Sequence, residues 1–215
     1  MDVPKVLSSE PNPRPEGKRG KKEKRSEIKE LLMLLALNRK GPIGRYRLKE
    51  VIGLSEHEGL VKLMLADLQR QGYISASKLG CALTEKGETL LEKRLKALHI
   101  VDIKPFDFPL LKAGPVSIGL HLLNAADKID SAMEVRDIAV RGGATGATII
   151  IFKEEKLSVP SVHPDFPKEN PSLLKEIQDS FNPEDNGVIA IVSAEDEWRG
   201  FEASITVAKA LSQKI

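Results

Sequence analysis

Residues Gly53–Leu95, GLSEHEGLVKLMLADLQRQGYISASKLGCALTEKGETLLEKRL, carry the clearest folding signal in the chain. Ser55 and Glu58 have the S-x-x-E spacing of a capping box, which predicts the start of a helix. Apolar residues at positions i, i+3, i+4 and i+7 then predict a buried stripe on this helix, formed by Val61, Met64, Leu65 and Leu68. Gly72 is expected to end the helix.

A hairpin and a further helix are predicted after Gly72. Residues 73–77 predict a strand, residues 78–80 a turn and residues 81–83 a return strand. Thr84 is placed to cap a long helix that ends near Leu98.

Two more helices are predicted before this stretch. Ser26 is expected to cap a helix over residues 27–38, and residues 47–52 predict a short second helix. The order helix, helix, helix, hairpin, helix is that of a winged helix-turn-helix. Residues 26–98 resemble the family of winged-helix transcriptional regulators, and their LTEKG segment is similar to the one in several bacterial and archaeal groups of that family. This resemblance implies DNA binding, although winged helices also mediate protein–protein contacts.

Charge is distributed unevenly along the 215 residues. Residues 1–100 hold 21 Lys+Arg and 13 Asp+Glu, a net charge of +8, whereas residues 101–215 hold 12 and 18, a net charge of −6. Residues 1–25 lack apolar periodicity, which predicts a disordered tail that ends in the basic block KRGKKEKR. Such a block would neutralise phosphates along a nucleic acid.

In a winged helix the third helix enters the major groove of double-stranded DNA, the partner expected here. The candidate contacts come from the basic block, the second and third helices and the tip of the wing. They are Lys18, Arg19, Lys21, Lys22, Lys24, Arg25, Arg45, Arg47, His57, Gly59, Lys62, Arg70 and Lys78.

The outward face of the third helix also carries Glu56, Leu63 and Asp67. Acidic groups repel phosphate, and an exposed leucine suits a protein contact as well as a thymine methyl group. Weakly specific DNA binding and a protein-interaction role for the winged helix therefore both stay open.

Residues 116–215 predict an α/β domain of ligand-sensing or dimerising type, and the proline-containing residues 99–115 predict a linker to it. The element order β-α-β-β-α-β-α favours a ferredoxin-like split β-α-β unit with an added helix, with an open α/β layer of another order as the alternative. The predicted fold class is therefore α+β. Two segments, MEVRDIAVRGGATGATIIIF and IVSAEDEWRGFEASITVAKAL, resemble the C-terminal domain of archaeal winged-helix regulators, a domain of unknown function.

The glycine-rich segment AVRGGATGATIIIF, residues 139–152, invites comparison with phosphate-binding loops. Those loops run from strand to glycines to helix, whereas here a helix precedes the glycines and a strand follows. A helix C-cap in which Gly142 or Gly143 has positive φ is the favoured interpretation. A ligand contact is the alternative, with candidates Arg136, Arg141, Gly142, Gly143, Gly146 and Trp198.

Other chemistry has little support in the sequence. Cys81 is the only cysteine, the four histidines have no metal-ligand spacing, and no nucleophile triad signature appears. We therefore expect no catalytic residue, cofactor or metal, and an enzyme with an appended winged helix is the least favoured alternative. No apolar run is long enough to span a bilayer, which favours a cytoplasmic protein. A homodimer that binds two half-sites is the expected assembly, with a small-molecule effector for the C-terminal domain.

Overall fold

A computed structural model describes residues 16–154, 156–160 and 169–214, with side chains described from Glu27 onward. The N-terminal unit has the predicted order of three helices, a hairpin and a fourth helix. Its elements are α1 (Glu16–Lys40), α2 (Arg45–Val51), α3 (Glu58–Arg70), β1 (Ile74–Ser77), β2 (Gly80–Leu83) and α4 (Glu85–Ala97). The hairpin is antiparallel, with Ile74 opposite Leu83.

The cap of α4 is as predicted. The Thr84 side chain accepts a hydrogen bond from the Gly87 N–H. Gly87 itself lies against the chain before the hairpin, because a Cβ built on it would be 2.0 Å from the Tyr73 carbonyl oxygen. The glycine of the LTEKG segment therefore allows α4 to dock closely on the hairpin.

The predicted capping box of α3 is wrong. His57 is the N-cap residue and makes no side-chain cap, while Ser55 lies in a preceding turn closed by the His57 N–H to the Leu54 carbonyl. The Glu58 carboxylate instead faces Arg45, at 3.1 Å, and Lys49, at 3.8 Å. These ion pairs with α2 draw Glu58 away from the backbone of its own helix.

The expected disordered tail over residues 1–25 needs a partial correction. The α1 helix begins at Glu16, so Ser26 lies inside it and is not its first residue. Lysine, arginine and glutamate are good helix formers, and this propensity extends the helix without an apolar stripe. Residues 1–15 lie outside the described part of the chain.

The C-terminal unit is a five-stranded antiparallel sheet with helices on both faces. Its elements are β3 (Ile100–Pro105), β4 (Val116–Leu122), α5 (Ala132–Arg141), β5 (Gly146–Lys153), β6 (Lys156–Ser158), α6 (Pro171–Phe181), β7 (Gly187–Ala194) and α7 (Glu197–Ser212). The strand order is β3-β4-β7-β5-β6.

The predicted linker over residues 99–115 is largely wrong, because β3 forms part of the sheet. β3 pairs with β4, with Ile103 opposite Leu120, and both Ile100 and Ile103 are buried. Pro105 closes the strand at the sheet edge, where the absence of an N–H costs no ladder bond. The prolines therefore mark the end of an edge strand rather than a flexible connection.

The predicted ferredoxin-like fold differs from the structure in two respects, the placement of the helices on the sheet and the strand order. Along β7, Val188, Ala190 and Val192 face the core under α5 and α7, while Ile189 and Ile191 face α6 on the opposite side. A ferredoxin-like unit has its helices on one face and its first and third strands in the middle. Here the second and fourth strands of the predicted unit, β5 and β7, are the inner ones. The continuous apolar run in β7 requires that other elements pack on both faces of the sheet.

The two units share one hydrophobic core through the contact between α1 and α7. Buried residues of α1, such as Leu32 and Met33, belong to the same cluster as Phe201 and Ile205 of α7. The Arg39 guanidinium lies 4.9 Å from the Phe201 ring centroid. The N-terminal unit is therefore packed onto the sheet domain rather than tethered to it.

The glycine turn after α5 is a Schellman motif. The Gly143 N–H donates to the Val140 carbonyl and the Ala144 N–H to the Ala139 carbonyl, both at 3.0 Å. Gly143 has φ +105°, which confirms the predicted C-cap. A Cβ on Gly142 would be 3.1 Å from Ala203 Cα, so this glycine permits close packing of α5 on α7.

Candidate functional site

The outward face of α3 is open to solvent as predicted. Lys62 and Leu63 are exposed, and a Cβ built on Gly59 would have no atom within 4 Å. Lys78 is exposed in the turn of the β1–β2 hairpin. The outward face of α3 and the hairpin turn are therefore both accessible to a partner.

Three of the predicted DNA-contacting arginines are already paired with carboxylates. Arg45 pairs with Glu58, Arg47 with Glu50 at 3.1 Å, and Arg70 with Asp67. Arg45 and Arg47 lie in the first turn of α2 rather than before it. These pairs reduce the positive charge that the surface offers to phosphate.

Lys62 and Lys78 differ from these arginines, because no carboxylate pairs with either lysine among the described residues. The basic-block candidates Lys18, Arg19, Lys21, Lys22, Lys24 and Arg25 lie in the helical backbone of α1, and their side chains are outside the described part. The two lysines are therefore the cations of this surface that are placed to meet a ligand.

Large apolar side chains are also exposed on α2, on α3 and at the hairpin turn. Leu63 is 70% exposed, Leu79 at the hairpin turn 78% and Tyr46 on α2 62%. The Arg45 guanidinium and the Lys49 ammonium lie 5.2 and 5.1 Å from the Tyr46 ring centroid. The face therefore combines apolar and basic groups.

A second candidate site is a cleft of about 920 Å³ where the two units meet. It lies between α1, the turn after α2, the end of α5 and one side of α7. Its lining residues are Ile28, Lys29, Gly53, Arg141, Gly142, Gly143, Arg199, Glu202, Thr206, Lys209, Ala210 and Gln213. The sequence-predicted Arg141, Gly142 and Gly143 are thus brought together here.

Lys29 fixes the floor of this cleft. Its ammonium, with only 5% of the side chain exposed, lies 2.7 Å from Glu202 Oε1 and donates to Glu202 Oε2 at 2.8 Å. It also donates to the Ile52 carbonyl at 2.6 Å, at the end of α2. One buried cation therefore joins α1, α2 and α7.

Two arginines on the cleft wall are held by their Nε atoms. The Arg141 Nε donates to the Asp137 carbonyl oxygen at 3.2 Å. The Arg199 Nε lies 3.3 Å from Asp196 Oδ2. Within the described residues, the terminal guanidinium nitrogens of both arginines donate no hydrogen bond.

The remaining predicted ligand residues lie elsewhere. Arg136 is exposed on α5 away from the cleft and donates to the Met133 sulfur at 3.4 Å. Gly146 is buried in β5 opposite Ser193. Trp198 lines a neighbouring cleft of about 360 Å³ together with His57 and Glu56, and the Lys40 ammonium lies 5.0 Å from its ring centroid.

The polar side of α7 is the part of the cleft that the sequence prediction missed. Arg199, Glu202, Thr206, Lys209 and Gln213 recur at spacings of three and four residues, which places them on one helix face. This polar periodicity was the signal in the sequence that could have identified them.

His121 is a buried polar side chain outside both clefts. It is 1% exposed, and neither ring nitrogen has a hydrogen-bond partner among the described residues. Burial lowers the pKa of His121 below its ordinary value, opposed in part by the carboxylates of Asp102 and Glu184 and assisted by the Lys104 ammonium. The native state therefore holds the neutral imidazole.

This burial predicts acid sensitivity. As pH falls below about 6.5, the unfolded chain protonates this histidine before the native state does, so the free energy of unfolding decreases. The His121→Leu variant should lose less stability than the wild type between pH 7 and pH 5 in urea unfolding. Equal losses in both proteins would contradict this role of His121.

The described part of the chain has neither a metal-binding cluster nor a membrane-spanning helix. No group of three or more histidine, cysteine, aspartate or glutamate side chains is arranged to hold a metal ion there. None of its helices is both long and apolar enough to cross a membrane.

Comparisons with known proteins find a similar solved structure for most of the chain and a matching family model for its second half. Residues 113–211 match the family model of a domain of unknown function, DUF4443. A hypothetical protein from Pyrococcus horikoshii OT3 is similar in structure, with a TM-score of 0.64 and 24% identity over 86% of this chain and 92% of that one. No curated protein matches the chain in sequence. The expected likeness to an archaeal protein and to a domain of unknown function is thereby confirmed.

Proposed function

We propose that the protein is a DNA-binding transcriptional regulator whose N-terminal unit is a winged helix. In this proposal α3 is the recognition helix and the β1–β2 hairpin is the wing. The observation that carries it is the exposed face of α3, on which Lys62 lies without a carboxylate partner, together with Lys78 at the hairpin turn. A helix face and a wing tip of this kind are the two contacts that such a module makes with a duplex.

The electrostatics favour modest affinity and weak sequence preference. Arg45, Arg47 and Arg70 must exchange a carboxylate for a phosphate, which offsets much of the gain. Affinity would come mainly from phosphate contacts, whose counterion release makes binding salt-dependent.

The C-terminal unit is proposed to sense a small molecule or to dimerise. The helix α4 reaches β3 through Leu98 and His99, and α1 packs on α7, so two firm connections join the units. A ligand or a second copy bound to the sheet domain would thus alter the placement of α3. A homodimer would present two such helices to two half-sites.

A protein-interaction module is the second candidate function. The exposed Tyr46, Leu63 and Leu79 favour it, because large exposed apolar side chains suit a protein partner. In that case α3 would contact another component of the transcription or nucleic-acid machinery.

Replacement of Lys62 and Lys78, which have no carboxylate partner among the described residues, distinguishes the DNA-binding function from the protein-interaction function. The Lys62→Ala/Lys78→Ala variant should bind a mixed-sequence duplex about tenfold or more weakly than the wild type at low salt, since two phosphate contacts are lost. Fluorescence anisotropy with a labelled duplex measures this loss.

The matched control is Lys156→Ala/Lys175→Ala, which removes two exposed lysines from β6 and α6. It should bind the duplex as the wild type does. If both double variants bind alike, or if the wild type does not bind at low salt, the DNA-binding proposal fails and the protein-interaction role is favoured.

A further inference from the structure

We infer that the cleft between the two units binds a small polyanion, of the kind that carries two or more phosphate or carboxylate groups. The inference rests on the proposed sensing role of the C-terminal unit and names the chemistry of its ligand. Its site is built from the end of α5, the polar side of α7 and the floor formed by Lys29.

The charge of the lining favours an anion. Four cationic side chains, Lys29, Arg141, Arg199 and Lys209, line the cleft with one carboxylate, Glu202. Lys29 pairs with Glu202, and Lys209 pairs with Glu27 on α1. The two lysines therefore hold the walls together. Arg141 has no carboxylate partner among the described residues and is left to bind the ligand, whereas Arg199 must exchange the exposed Asp196 carboxylate for it.

The geometry of Arg141 and Arg199 suits phosphate and carboxylate groups. Each guanidinium is oriented by its own Nε contact, to the Asp137 carbonyl or to the Asp196 carboxylate. The terminal nitrogens of a guanidinium form a planar fork that matches phosphate and carboxylate oxygens. An anchored fork also loses less side-chain entropy on binding than a free one.

The turn at Gly142 and Gly143 leaves open space for such a ligand. Gly143 is exposed, and a Cβ built on it would have no atom within 4 Å. The ligand can therefore approach the turn between Arg141 and α7 closely. The Thr206 hydroxyl lies on the same wall, bonded to the Glu202 carbonyl.

The size of the cleft favours a small molecule over a nucleic acid. About 920 Å³ falls within the range of small-molecule sites. Residues of both units line it, from Ile28 on α1 to Ala210 on α7.

The test uses the full chain without DNA, so that it can fail or succeed independently of the DNA-binding proposal. Pyrophosphate and citrate are titrated at low salt by calorimetry and by thermal shift, with the cation spermidine as the opposite charge. Both anions should bind saturably and raise Tm, and spermidine should not.

Arg141→Gln and Arg199→Gln should each weaken pyrophosphate binding about tenfold, which corresponds to the loss of one charge-assisted contact. The matched control is Arg136→Gln, an exposed arginine on the same helix as Arg141 but outside the cleft. It should bind pyrophosphate as the wild type does.

Three outcomes would overturn the inference. The first is the absence of any saturable anion binding, and the second is an equal loss in Arg136→Gln and Arg141→Gln. The third is a loss of duplex binding in Arg141→Gln without any effect of pyrophosphate, which would make the cleft a contact for the nucleic-acid backbone.

Discussion

Replacement of Glu202 by methionine should lower the free energy of unfolding by about 3 kcal/mol, because it leaves the Lys29 ammonium buried without a counterion. The side chain of Lys29 is 5% exposed, so water cannot replace the lost carboxylate readily. Only the Ile52 carbonyl, at 2.6 Å, would still accept from the ammonium. Urea unfolding of the variant and the wild type measures the difference.

A second substitution identifies the cause of that loss. The Lys29→Met/Glu202→Met double variant removes both charges and should recover a large part of the stability, since paired apolar replacements are often neutral. As a surface control, Asp127→Asn breaks the exposed pair with Lys153 and should change stability little. A double variant less stable than Glu202→Met alone would contradict the account.

Gly87→Ala should strongly destabilise the N-terminal unit. The added methyl group would be 2.0 Å from the Tyr73 carbonyl oxygen, so α4 must move away from the hairpin. Overpacking of this kind costs about 3 kcal/mol when the obstructing atom is backbone. Thermal unfolding should show a clearly lower Tm.

Gly59→Ala is the matched control for Gly87→Ala. Gly59 is also a helical glycine, yet a Cβ there would meet nothing within 4 Å. Alanine at this position should stabilise α3 by about 0.5–1 kcal/mol through its higher helix propensity. Similar Tm values for the two variants would show that the Tyr73 contact does not constrain Gly87.

Local signals in the sequence predicted local structure well. Thr84 caps α4, and the turn at Gly143 ends α5, because both depend on a few neighbouring residues. The start of α3 was predicted wrongly because Glu58 is engaged by Arg45 and Lys49 from another helix. Sequence spacing alone gives no measure of such tertiary competition.

The edge strand β3 and the sheet layers were missed for a related reason. Prolines near residues 105–115 suggested a linker, but a strand at a sheet edge tolerates proline at its end. The position of α6 on the opposite face follows from Ile189 and Ile191, which are apolar and alternate with the core-facing residues of β7. This pattern indicates burial on both sides of the strand.

The candidate site was predictable only in part. Arg141 and the glycine turn stood out as a local motif, whereas the Lys29–Glu202 pair joins residues 173 positions apart. No pattern within either segment shows that these two will meet. The polar side of α7 was present as a helical periodicity, but its function depends on α1, which packs beside it.

The salt dependence of duplex binding tests the central proposal most directly. The association constant of the wild type and of Lys62→Ala/Lys78→Ala for one mixed-sequence duplex is measured from about 50 to 200 mM salt. The wild type should lose affinity linearly on a log–log plot, and the variant should have a slope shallower by about 2, one for each lost phosphate contact. An identical slope for the two proteins, or no binding by the wild type at the lowest salt, would contradict the account.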